Sequence, residues 1–357
     1  MLTRVARLRA EMRRRSLDAV IVTHRAHVQY LSGFSGSSGF VLVTPRKTLL
    51  VTDFRYAEQA VDEVRAGVRC LIWKQSPYDD LRISGVVGPG MTVGYQESSV
   101  TIAVLDAMRT AFKKVRFAKT GDLVARLFIA KEAHEIQAIR AAARIADRVY
   151  KEILETVRPG MREAELAAEL SYRGRCHGSE GDAFDVIVAS GPRGALPHGR
   201  ASARRIRRGE MVTVDFGCTV RGFHSDMTRT FAVGRPRPEA GEIHALVLQA
   251  EQAGVRSARS GMSNRELDEV CRSLIRDAGY GEYFGHGTGH GLGIDVHEAP
   301  GISFKAVEEP LIPGMVVTIE PGVYLPGRFG VRIEDDIVIT ERGRDVLTGS
   351  PRELIVV

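Results

Sequence analysis

Long apolar runs are missing from this chain. No stretch is long enough to span a bilayer, so a membrane partner is not expected. The opening MLTRVARLRAEMRRRSL is basic but has neither an apolar core nor a cleavage pattern. It reads as an amphipathic helix and not as a secretory leader, which makes the cytoplasm the expected location. Cysteine is scarce: four residues in 357, at 70, 176, 218 and 271. Their spacing fits neither a disulfide framework nor a Cys-based zinc site. Glycine is plentiful, yet no GxGxxG or Walker-type loop occurs, which argues against a nucleotide site. Lys and Arg exceed Asp and Glu by 50 to 44, a net charge of +6. The arginines are spread along the chain, with short clusters at 12–15 and 204–208 and no interleaved aromatics. A nucleic-acid partner is therefore not expected.

What is present is a globular composition, 44% hydrophobic and 26% charged, at a length that suggests two domains. Residues 1–122 mix short helices and strands, as in a small α/β domain. Leu2, Val5, Leu8 and Met12 fall at helical spacing, and 18–23 is a short apolar strand. Residues 30–39 read as a small-residue loop. A hairpin is expected around Pro45-Arg46, with Asp53 capping a helix after it. Further on, 91–95 is expected as a strand and 102–112 as a helix. Residues 123–357 form the second domain, of α+β class. Its strongest helix is 132–157, ended by Pro159-Gly160, and helices at 162–172, 239–259 and 263–279 follow. The order of helix pair then strands occurs twice, which suggests an internal duplication.

Residues 211–230, MVTVDFGCTVRGFHSDMTRT, read as a β-hairpin. A turn centred between Val220 and Arg221 would place Asp215 directly opposite Asp226. Opposed like charges destabilise a sheet, so a cation between them would give the pair a purpose. Two solvated acids on an exposed face are the competing reading. Residues 315–319 and 331–339 repeat the arrangement: their connection centres near Gly327, which sets Glu320 against Glu334. Between the two hairpins, GHGTGHGLGIDVHEAP holds His286, His290 and His297 among five glycines. Such a segment is hard to explain as core packing. Asp215, Asp226, His290, Glu320 and Glu334 thus form a five-ligand set. Four carboxylates carry more charge than one divalent ion neutralises, so two ions are expected. Oxygen-rich ligation with one imidazole suits manganese, cobalt or zinc, and manganese is the expected ion among them. Two ions about 3.5 Å apart could hold a hydroxide as nucleophile and polarise a carbonyl, which is hydrolytic chemistry.

VDFGC, HSDMTRT, HGTGHGLGIDVHE, TIEPGVY and VRIEDD, in this order, resemble the motif set of the pita-bread metallopeptidases, in particular the Xaa-Pro branch of aminopeptidase P and prolidase. YLSGFSGSSG and DFRYAEQA resemble the creatinase-type N-terminal domain. The resemblance implies a C-terminal pita-bread domain behind a smaller N-terminal domain, metal-dependent hydrolysis of Xaa-Pro bonds in peptides, and a homodimer. It implies Asp215 on one ion, His290 and Glu320 on the other, and Asp226 and Glu334 bridging. It adds His198 and His297 as catalytic histidines, and His286 and Arg332 as substrate-pocket residues. Arg332 can equally be read as a sheet-face charge offsetting the acids, and Tyr324 as a core residue. The alternatives are a methionine-aminopeptidase-like enzyme and a non-enzymatic pita-bread binding module. The N-terminal domain argues against the first, the intact ligand set against the second.

Overall fold

The structure, a computed structural model, describes residues 4–357. Leu2, which the helical spacing includes, lies outside the described residues. The chain divides into two compact units between Phe128 and Ile129. Among the described residues no helix is long and apolar enough to cross a membrane.

The first unit is built on strands β1 (Ala19–Val22), β2 (Phe40–Val43), β3 (Thr48–Thr52), β4 (Arg69–Ile72), β5 (Thr92–Tyr95) and β6 (Arg116–Lys119), ordered β4-β3-β2-β1-β5-β6. Helices α1 (Arg4–Arg14), α2 (Arg25–Ser32), α3 (Ala57–Glu63), α4 (Pro77–Ile83) and α5 (Ile102–Ala111) complete it. The inner strands β1, β2 and β3 are buried throughout, so they read as continuous apolar runs. Edge strands β4 and β6 are partly exposed and carry Arg and Lys, so no apolar pattern marks them. The expected loop at 30–39 is corrected at its start: Tyr30 to Ser32 end α2, which Gly33 closes in a left-handed conformation. Asp53 caps a short 3₁₀ turn before α3, accepting from the Arg55 N–H and pairing with its guanidinium.

The second unit repeats one plan. Helices α6 (Ala133–Thr156) and α7 (Glu163–Cys176) cover a sheet of β7 (Ile187–Ser190), β8 (Glu210–Phe216) and β11 (Met227–Val233), ordered β11-β8-β7. The ribbon β9 (Thr219–Val220) and β10 (Phe223–His224) caps it. Helices α8 (Pro238–Ser257) and α9 (Asn264–Asp277) then cover β12 (Gly289–Gly291), β13 (Glu298–Ile302), β14 (Val316–Ile319), β17 (Asp335–Thr340) and β18 (Gly343–Val346), ordered β13-β12-β14-β17-β18. Strands β15 (Gly322–Leu325) and β16 (Phe329–Arg332) form a separate ribbon. Each half buries its own apolar core, one around Ala146, Tyr150, Val214 and Phe231, the other around Val247, Leu267, Val317 and Ile337. The capping box at Ser263 and Glu266 is formed.

Candidate metal centre

The first acid pair comes together by a register different from the expected one. Arg221 and Gly222 both have positive φ, 53° and 73°, as a two-residue hairpin turn demands. The turn is therefore centred one position later, and Asp215 faces Thr228 instead of Asp226. The expected direct opposition is corrected, but the shared face survives. Side chains alternate with period two, so moving the partner from 226 to 228 keeps Asp226 on the side of Asp215.

The second pair keeps its register. Ile319 pairs with Asp335 and Gly322 with Arg332, so Glu320 and Glu334 fall opposite each other where both ladders are interrupted. Pro321 has no N–H to donate, which ends β14 at Ile319. The Glu334 N–H turns to the Thr228 carbonyl of the other sheet, at 3.1 Å. This bond links the two halves at the site.

His290 is held on β12 between glycines that the packing requires. A Cβ on Gly289 would stand 2.0 Å from the Thr318 carbonyl oxygen, and one on Gly291 would stand 2.3 Å from that of Ala299. With Nδ1 donating to the Gly291 carbonyl at 3.1 Å, the lone pair of His290 lies on Nε2. Nε2 is 3.5 Å from Glu320 and 3.7 Å from Asp226. Ligand atoms of Asp226, His290 and Glu334 lie within 4.8 Å of one another.

One cavity of about 460 Å³ is lined by all nine of the expected site residues: His198, Asp215, Asp226, His286, His290, His297, Glu320, Arg332 and Glu334. Asp226 and Glu334 are buried, while His198 and His297 are exposed. The His297 ring lies 4.2 Å from that of His290. The Arg332 guanidinium donates to Asp215 at 2.6 Å, to the Tyr324 hydroxyl at 2.9 Å, to the Pro197 carbonyl at 3.0 Å and to Thr228 at 3.0 Å. Both readings of Tyr324 hold at once: its ring is buried, and its hydroxyl meets Arg332 and, at 2.9 Å, His286.

The electrostatics call for a cation. Burial raises the carboxyls of Asp226 and Glu334 well above the usual range, and neighbouring acids add to it. Glu320 is pushed up to about 8 by burial, with Arg332 opposing and Asp215 adding. Burial lowers His290 to about 4, so its imidazole is neutral, the form that ligates. Asp215 Oδ1 and Asp226 Oδ1 are buried without a hydrogen-bond partner among the described residues. Repelling acids, orphaned oxygens and a neutral imidazole fit divalent metal ions.

Two contributors escaped the sequence reading. Asp336 is buried and accepts the Asp226 N–H at 2.9 Å. Thr228 donates its hydroxyl to Glu334 at 2.6 Å while accepting from Arg332. The run Glu334-Asp335-Asp336 at the head of an apolar strand was a signal for the first. Nothing distinguishes Thr228 from an ordinary strand threonine.

Comparison with known proteins finds relatives of both units. The model of metallopeptidase family M24 matches residues 137–341, and that of the creatinase/prolidase N-terminal domain matches residues 4–127. A Xaa-Pro dipeptidase from Pyrococcus horikoshii is 40% identical over 346 residues, covering 96% of this chain and 96% of that protein. The solved Xaa-Pro dipeptidase of Bacillus anthracis is 40% identical and superposes with a TM-score of 0.94, covering 99% of each chain. The solved X-Pro aminopeptidase of Thermotoga maritima is 38% identical with a TM-score of 0.90, also covering 99% of each.

Proposed function

The chain belongs to metallopeptidase family M24, and we propose that it hydrolyses the Xaa-Pro bond of short proline-containing peptides with two divalent cations held by Asp215, Asp226, His290, Glu320 and Glu334. The observation that carries this reading is the convergence of these five residues on one peptide-sized cavity, with the carboxyls of Asp226 and Glu334 raised by burial and by the acids around them. The names of the relatives support the bond class. By the same reading Asp215 would hold one ion, His290 and Glu320 the other, and Asp226 and Glu334 would serve both. The ion is manganese, with cobalt or zinc as alternatives, and the assembly is a homodimer.

Divalent cations at such a site polarise a carbonyl and make water nucleophilic at neutral pH. The chain's own groups do the rest. Arg332 fixes Asp215, and the Thr228 hydroxyl fixes Glu334, so the acids keep their places when charged. Glu320 or Glu334 accepts the proton that the attacking water loses. His198 and His297 offer N–H donors to the developing oxyanion. His286, braced by Tyr324, walls the proline side with Arg332. A proline amide has no N–H to donate, so such a pocket selects the ring by fit.

Hydrolysis of a Xaa-Pro dipeptide and a Xaa-Pro-Yaa tripeptide, followed after chelation and re-addition of Mn²⁺, Co²⁺ or Zn²⁺, tests the proposal. Activity is expected to vanish on chelation, to return best with Mn²⁺, and to stay absent in Asp226→Asn. Full hydrolysis by the chelated protein would refute it.

A further inference from the structure

A dipeptide differs from a longer peptide in one chemical respect at this site: its C-terminal carboxylate lies on the residue just after the scissile bond. Burying that charge near four acids requires a cation. Among the described residues lining the cavity, the Lys and Arg side chains are those of Arg332 and Arg200. Arg332 is buried and committed, with four hydrogen bonds from its guanidinium and Asp215 as its ion partner.

Arg200 is the opposite case. It follows His198 by two residues, and its side chain is 82% exposed. Its guanidinium meets Asp185 at 2.8 Å, and Asp185 lines the same cavity and is 76% exposed. Its backbone, by contrast, is held: Arg200 bridges to Ile187, and its carbonyl accepts from Arg193, which is itself paired with buried Glu163. A fixed base thus carries an exposed cationic head. Exposed ion pairs of this kind contribute little to stability, so another carboxylate can displace Asp185 at small cost.

We propose that Arg200 binds the free C-terminal carboxylate of the substrate, with Asp185 as its resting partner, and so makes the enzyme prefer Xaa-Pro dipeptides to longer Xaa-Pro peptides. This rests on the Xaa-Pro reading above. In a tripeptide the carboxylate moves by one residue, about 3.5 Å, and leaves the guanidinium's reach. The guanidinium fork favours a carboxylate over a neutral amide of the same shape.

The test compares alanylproline with its C-terminal amide, and with alanylprolylalanine, in the manganese-loaded protein. The wild type is expected to favour the acid over the amide by about ten-fold in kcat/KM, through KM, as one charge-assisted contact allows. In Arg200→Gln the acid should fall to the level of the amide, while amide and tripeptide hydrolysis stay unchanged, which also shows that the variant is folded. Arg200→Lys should keep part of the preference, and Asp185→Asn should lower KM for the acid alone. An acid-to-amide ratio unchanged in Arg200→Gln, or a wild type indifferent to the amide, would overturn the assignment while leaving Xaa-Pro hydrolysis standing. Failure to cleave any of the three substrates would overturn the Xaa-Pro reading and this assignment with it.

Discussion

Replacing Glu320 by Gln should stabilise the metal-free protein and weaken the metal-loaded one. In the folded chain burial pushes the Glu320 carboxyl up to about 8 from 4.5, with Asp215 adding and Arg332 opposing. A carboxyl raised on folding adds stability below its unfolded value, and that stability is lost as pH rises toward the folded value. From 4.5 to neutral pH, at about 1.36 kcal/mol per unit, this group alone costs the metal-free protein roughly 3 kcal/mol. Gln keeps the shape, carries no charge, and relieves Glu334, which Glu320 repels. Thermal melting in chelator should therefore show wild type and variant close together at about pH 5. At about pH 8 the variant should melt higher by several degrees, since 1 kcal/mol moves a domain of this size by about 2–4 °C. With saturating Mn²⁺ the order should reverse, because the variant has lost a charged ligand. A chelated variant that melts at or below wild type at about pH 8 would sink the argument that these acids repel one another inside the fold.

Three further outcomes follow from single contacts. Gly289→Ala puts a methyl 2.0 Å from the Thr318 carbonyl oxygen; β12 must shift His290, and elemental analysis should find less bound metal, with stability lower by about 1–3 kcal/mol. Thr228→Val removes the hydroxyl that donates to Glu334 and accepts from Arg332; urea unfolding should show a loss of about 1–3 kcal/mol, and kcat should fall more than KM rises. Lys131→Met leaves Glu298 buried without its ion partner; a loss of about 3–5 kcal/mol at neutral pH is expected, and a variant as stable as wild type would show that Glu298 is protonated in the fold.

The proposed ligands were legible because each violates a rule of its setting. Acids within or at the ends of apolar strands, and a histidine among glycines, stand out against a packed core. The family motifs then added His198, which has no local signal: it is exposed beside Pro197 and looks like any loop histidine. The register of the first hairpin was misread because Val220-Arg221-Gly222 offers two places for a turn. Which one is used depends on Arg221 taking a positive φ, 53°, with its N–H and that of Gly222 held by the Glu180 carboxylate. That contact is long-range and invisible to a local reading. Edge strands β4 and β6, and the short β7, were missed for the same kind of reason: partners elsewhere in the chain make them strands.

The acids of the second hairpin, with Asp226, sit just outside regular strands, and this explains how one site joins two halves. A residue inside a ladder has its backbone committed to its own sheet. Glu334, between β16 and β17, is free to give its N–H to Thr228 of the other sheet, and Asp226, just ahead of β11, gives its own to Asp336. Each half therefore reaches across with the backbone of a proposed ligand and receives a bond in return. Asp215 and Asp226 belong to one half, and His290, Glu320 and Glu334 to the other. Neither half alone holds the full set, so on the proposed reading binding of metal and packing of the two sheets against each other would strengthen one another. The repulsion among the acids would oppose that packing until cations are bound.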